Sequence, residues 1–193
     1  MTLRAGLAEH LSALPSAAAF DPWIAQLSSW GAPIQAAAAA SAAVSTRPHW
    51  TLYSAPDAHE WHTPSTSVDR AFAGLDAWLT GGSSAPLRDV LAALCSDVAR
   101  MAGYVEEASG SAAECSRRET ALSAARAALH ACEAILWTPA SIPSFWDDAE
   151  RLAREAAGPL DETVAACRAA AFAHGSTDRV ARAIGAHLGR RTP

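Results

Sequence analysis

The sequence predicts an all-α protein: an irregular multi-helix bundle of eight or nine helices, a single domain over residues 1–193. Three observations carry that reading. Alanine is about a quarter of the chain, and it has the best helix propensity because its methyl loses no rotamer freedom on folding. Apolar residues recur at helical spacing, most clearly at Leu87, Val90, Leu91, Leu94, Val98, Met101 and Val105. Helix start and stop residues punctuate the chain at short intervals. Only His49 to Tyr53 reads, weakly, as a strand.

The elements follow in order. Leu3, Leu7, Leu11 and Leu14 give a first amphipathic helix, ended by Pro15. Asp21-Pro22 is a start signal, with Asp as N-cap and Pro as first helical residue, for a helix carrying Trp23, Leu27 and Trp30. Gly31 stops it. Pro33 opens a helix from Ile34 to Val44 that is nearly all alanine, so neighbours can approach it on several sides. Thr66 with Asp69 starts a helix whose inner face is Val68, Phe72, Leu75 and Leu79. Gly81-Gly82 ends it.

Ser84 then begins the longest helical pair, to Trp137, with a break at Gly110. Ser111 and Glu114 form a capping box for its second member, whose stripe is Leu122, Leu129 and Leu136. These two helices read as the centre on which the rest packs. Ser144 and Asp147 cap a short helix with Phe145, Ala149, Leu152 and Ala156 inward. Gly158-Pro159 breaks it. Leu160, Val164, Cys167 and Ala171 then face inward on the next helix, and Val180, Ile184 and Leu188 on the last.

Composition excludes several chemistries. The chain has no lysine, so a Schiff base, a Walker A lysine and a kinase-type lysine are absent. It has no asparagine, hence no glycosylation sequon. All fifteen cations are arginine, which with the alanine content fits a GC-rich bacterial genome. The net charge of −5 argues against nucleic acid as a partner. No run is long and apolar enough for a membrane span, and Glu9 and His10 interrupt what a signal peptide would need, so the expectation is a cytoplasmic protein. Cys95, Cys115, Cys132 and Cys167 match no zinc spacing and read as small hydrophobes within helices.

One stretch departs from the rest. Between about 46 and 65 the alanine-rich pattern gives way to Pro48, Pro56 and Pro64 with aromatics and histidines between them. Ser54-Ala55-Pro56-Asp57, a variant capping box, predicts a short helix from Ala55 to His62 within it. Trp50, Tyr53, His59, Trp61 and His62 are the candidate binding residues. Trp and Tyr anchor many interfaces because they bury much area at small entropic cost. The competing reading folds Trp50 and Trp61 back as a lid on the core. His59 and His62, at i,i+3 with His49 as a third donor, sketch a metal site, but the sequence HEWH is one residue short of a zinc-protease motif and no carboxylate completes it. No metal and no cofactor is expected.

Elsewhere the structural readings are stronger. Asp147 and Asp148 sit in a first helical turn, where the helix dipole favours them, and Asp147–Arg151 and Glu150–Arg154 have ion-pair spacing. His130 shares a polar face with Arg126 and Glu133, opposite the leucine stripe, and no pocket is implied there. His174 and His187, near helix ends, read as packing or capping groups. No GxSxG, GxGxxG or CxxC occurs.

The segments AALCSDVARM (92–101) and ALSAARAALHACEA (121–134) resemble helices of Ala-rich all-helical bacterial immunity proteins associated with toxin or secretion loci. AFAGLDAWLTGGSS (71–84) resembles a related helical family of uncharacterised role. The resemblance spans about residues 71–134 and implies a non-enzymatic binder. The expectation is therefore protein–protein interaction, as an immunity or adaptor protein, with another protein as partner and a homodimer left open. The alternative is a metal- or small-ligand-binding helical-bundle enzyme that uses His59 and His62.

Overall fold

The computed structural model describes residues 3–53, 66–106, 111–141 and 147–190. Among them every regular element is helical: α1 (Leu3–Ser12), α2 (Phe20–Gln26), α3 (Ala32–Ser45), α4 (Arg47–Tyr53), α5 (Thr66–Leu79), α6 (Ala85–Glu106), α7 (Ala112–Leu136), α8 (Asp148–Ala157), α9 (Leu160–His174) and α10 (Thr177–Arg190). Single 3₁₀ turns stand at 17–19, 27–30 and 139–141. The all-α class is as the sequence reads. His49 to Tyr53 is helix, not strand. The amide of His49 bonds the carbonyl of Thr46 at 2.9 Å, so the chain passes directly from α3 into α4. Pro48 falls in the first turn, where its missing N–H is not needed.

The centre of the bundle is α3, α7 and α9, which pack on one another more extensively than any other trio. Each presents alanine to the others. Ala36–Ala40, Ala42 and Ala43 are buried on α3, with Ala121, Ala124, Ala125, Ala127, Ala128, Ala131 and Ala134 on α7, and Ala166, Ala170 and Ala173 on α9. Methyl-sized side chains let helices approach closely and interdigitate. This corrects the sequence reading of α6 and α7 as the central pair. The α6 stripe of Leu87, Val90, Leu94, Val98 and Met101 is buried as expected, but α6 lies to one side, packed on α5 and α7.

Where α5 meets α6, Gly74 makes room. A Cβ there would stand 2.6 Å from Leu87 Cδ2. The large side chains fill the periphery of the alanine centre: Phe72, Ile24, Leu27, Leu75, Leu94, Ile184 and Leu188 are fully buried. At the N-terminal end His10 stacks on Trp23, ring centres 4.8 Å apart, and the Trp23 indole N–H donates to the His10 carbonyl at 3.1 Å. The expected Asp21 cap is corrected. Helix α2 begins two residues earlier than expected, at Phe20 with Ala19 as N-cap, and Asp21 accepts from both Nε and Nη2 of Arg168 on α9.

Helix α8 also departs from expectation. Asp147 caps it in a full capping box with Glu150, but none of its residues is buried and Leu152 is 60% exposed. Ala149 and Ala156 are exposed with it, and Ser144 and Phe145 lie outside the described residues. Polar ties, not an apolar face, hold α8. Arg154 donates to the Gly158 carbonyl at 2.9 Å and to Glu162 at 2.6 Å, and Gln35 donates to the Ala157 carbonyl at 3.2 Å. The expected pairs Asp147–Arg151 and Glu150–Arg154 do not form. Arg151 takes Asp148 and Glu155, while Arg154 reaches over the Gly158-Pro159 break to α9. Among the described residues, no helix is long and apolar enough to cross a membrane.

Candidate functional site

The structure divides the sequence candidates. Trp50 is 2% exposed in the core, and its indole N–H donates to Asp69 on α5 at 2.8 Å. It is corrected from exposed anchor to packing residue, as the lid reading has it. The reason is geometric: α4 is a helix lying on α7, which turns Trp50 inward. Tyr53 closes α4. His59, Trp61 and His62, and the short helix expected at 55–62, lie outside the described residues. Among the described residues no group of three or more His, Cys, Asp or Glu side chains could hold a metal ion.

Of the three histidines in the sketched metal site, the one among the described residues is His49. Its Nε2 lies 3.0 Å from Nδ1 of His174, and Nε2 of His174 lies 2.9 Å from Oγ of Ser45. The spacing is that of a nucleophile, a base and an orienting group. The proton direction is wrong for that use. The Ser45 hydroxyl donates to the Ala42 carbonyl at 2.6 Å, and a carbonyl can only accept. Oγ therefore accepts from His174, whose Nε2 carries the proton and cannot serve as base for Ser45. Burial lowers the affinity of both rings for a proton; on His174 the charge of His49 and then Arg179 add to it, and on His49 Arg179 does.

Among the described residues, one concave surface is a groove along α7. Helices α6 and α9 both pack on α7 and share at most a marginal contact with each other, so the face of α7 between them is left open as a floor. The groove encloses about 500 Å³. Glu119, Leu122, Ser123, Arg126 and His130 form the floor; Ala102, Val105 and Glu106 form one wall. Ala165, Arg168, Ala169 and Phe172 form the other, at helical spacing along α9. Phe172 is 59% exposed, unusual for a phenylalanine.

The polar groups of the groove are of two kinds. His130 bonds Glu133 at 2.8 Å, and Arg168 is engaged by Asp21. The latter pair holds the Asp21 carboxyl below its ordinary value. Arg126 forms no ion pair among the described residues and projects from the floor. The sequence reading of Arg126, His130 and Glu133 as a plain solvated face with no pocket is corrected: Arg126 and His130 line this groove. Sequence reasoning also missed Phe172 and Arg168. The signal was the second stripe on α9, Ala165–Arg168–Ala169–Phe172, but alanine at so many neighbouring positions hides it.

Two of the four cysteines are sealed in the core. Cys132 and Cys167 are fully buried and burial raises both thiols, Cys132 to about 12, so neither forms a thiolate near neutrality. Fold and site together define an all-α bundle with an open, amphipathic interhelical groove. No family model, no curated protein and no solved structure matches the chain.

Proposed function

We propose that the protein works by binding another protein, as an immunity or adaptor protein of a bacterial toxin or secretion locus, and that the α6–α7–α9 groove receives a helical segment of the partner. The observation that supports this best is Phe172, more than half exposed on the wall of a groove whose floor carries Arg126. An exposed aromatic beside a guanidinium, over an apolar wall, is the composition of interface anchors. A groove flanked by two helices suits an amphipathic helix laid along it. Leu122, Val105 and Phe172 would take its apolar side and Arg126 a carboxylate.

The test is binding of the purified chain to the products of neighbouring genes, comparing wild type with Phe172→Glu and Arg126→Glu. Both positions are exposed, so both variants should fold as the wild type does. The expected result is a loss of affinity of about tenfold or more for each, with hydrogen-exchange protection at 102–106, 119–130 and 165–172 on binding. Affinity that survives both changes, or protection confined to other helices, overturns the groove as the docking surface.

A further inference from the structure

We propose that His49 and His174 form a latch that fastens α4 to the end of α9 and opens when the pair takes up its second proton. The argument starts from the Ala42 carbonyl. It fixes the Ser45 hydroxyl at 2.6 Å, and through it the whole chain of donors. Ser45 Oγ accepts Nε2–H of His174, His174 is left with a bare Nδ1, and His49 Nε2–H donates to that nitrogen at 3.0 Å. The rings meet edge to face at 74°. Three helices are joined by this run: α3 through Ser45, α4 through His49 and α9 through His174.

Counting protons gives the device. With both rings neutral, every hydrogen bond in the run is made. A first added proton goes to His49 Nδ1, which takes no part in it, and His49 Nε2 still donates. A second must go to His174 Nδ1. Two N–H groups would then face each other across 3.0 Å with no acceptor between them, on two cationic rings. The bond cannot survive that state, and the rings must part.

The surroundings offer the second proton no help. Helix α10 brings Arg179, whose charge opposes protonation of both rings. Helix α3 brings only the Ser45 hydroxyl. On α4 itself Arg47 is engaged by Asp76 at 2.7 Å. Among the described residues, the bonds of the two rings run to each other and to Ser45, and no carboxylate forms an ion pair with either. The pair is therefore closed near neutrality. It opens on the acid side of the ordinary histidine value of about 6.5, each further pH unit favouring the open form by up to about tenfold.

The experiment is an NMR titration of the full chain between pH 8 and pH 5. It follows the ring protons of His49 and His174 and the indole N–H of Trp50, which reports whether α4 is docked. The expected result is two coupled histidine titrations, both below the ordinary value, with the Trp50 resonance shifting only along the second. His49→Gln and His174→Gln keep a neutral hydrogen-bonding group and should make Trp50 insensitive to pH. Asp69→Asn controls for the Trp50 acceptor and should leave the histidine titrations in place. Independent titrations at ordinary values, or a Trp50 resonance fixed through both steps, overturns the latch. The wild-type titration decides this even if a variant fails to fold.

Discussion

Trp50 on α4 and Asp69 on α5 are joined by a 2.8 Å hydrogen bond across the point where the described chain leaves one helix and rejoins in the next. The indole is buried and its one polar atom is satisfied. Trp50→Ser should therefore destabilise the protein by about 3–5 kcal/mol, as for other buried aromatics. Trp50→Phe keeps most of the apolar volume and loses the donor, so it should cost about 1–2 kcal/mol. Urea unfolding separates the two. Equal losses would mean that the bond, not the packing, fixes this residue.

Gly74→Ala puts a methyl against Leu87, which is fully buried. The helix gains about 1 kcal/mol from replacing glycine, but overpacking costs about 1–3 kcal/mol. The expected net effect is destabilising. In Leu87→Ala the space is vacated, and adding Gly74→Ala to that background should be neutral or stabilising. A double-mutant cycle on melting curves measures the difference. Additive effects would show that α5 and α6 can spread apart freely.

Leu94→Ala should cost about 2–5 kcal/mol, because Leu94 is fully buried in the α5–α6–α7 packing. His130→Ala should change stability by less than about 1 kcal/mol, since its ring is a third exposed and its pair with Glu133 lies at the surface. Chemical denaturation of the two variants checks this. The opposite ranking would mean that the groove floor carries more of the fold than its exposure suggests.

Arg154 is the tie between α8 and α9, with its guanidinium on Gly158, Glu162 and Asp161 at once. Arg154→Lys offers one charged point where the arginine offers a fork, so it should not restore all three contacts. Arg154→Ala should release α8 without unfolding the bundle, because none of α8 is buried in the core. Hydrogen exchange across 148–157 should speed up markedly in Arg154→Ala and less so in Arg154→Lys, while α3 and α7 stay protected. Global loss of protection would overturn this picture of α8.

Much of the bundle was legible because large apolar residues mark their own faces. Leu87, Val90, Leu94 and Val98 read as a stripe and are one; Val180, Ile184 and Leu188 likewise. Legibility fails where alanine is the packing residue. On α9 the sequence favours Leu160, Val164, Cys167 and Ala171; of these Cys167 is buried, and Thr163, Ala166, Ala170 and Ala173 complete the buried set. Alanine occurs on every side of that helix, so periodicity could not separate inner from outer. Leu152 fails for another reason. A stripe shows which face a helix would bury, but not whether the chain brings a partner to it. The groove and the Ser45–His174 bond depend on contacts between residues far apart in sequence, and no local spacing encodes them.

The alanine helix α3 has a consequence of its own. From Gln35 to Ala43 every residue is buried, with other helices on several sides. An amino-acid change by one base in an alanine codon yields Ser, Thr, Val, Pro, Gly, Asp or Glu. Valine and threonine are too bulky for close helix contacts, proline removes a donor, glycine loosens the helix, and the acids bring charge into a dry interior. Of these only serine is near in size, and Ser41 shows how it is tolerated, with its hydroxyl turned back onto the Ala37 carbonyl at 2.6 Å. The plainest-looking stretch of the chain is thus where inherited variation has least room, and a population of such genes should carry its changes on α8 and the groove walls, with the shaft at the centre left nearly invariant.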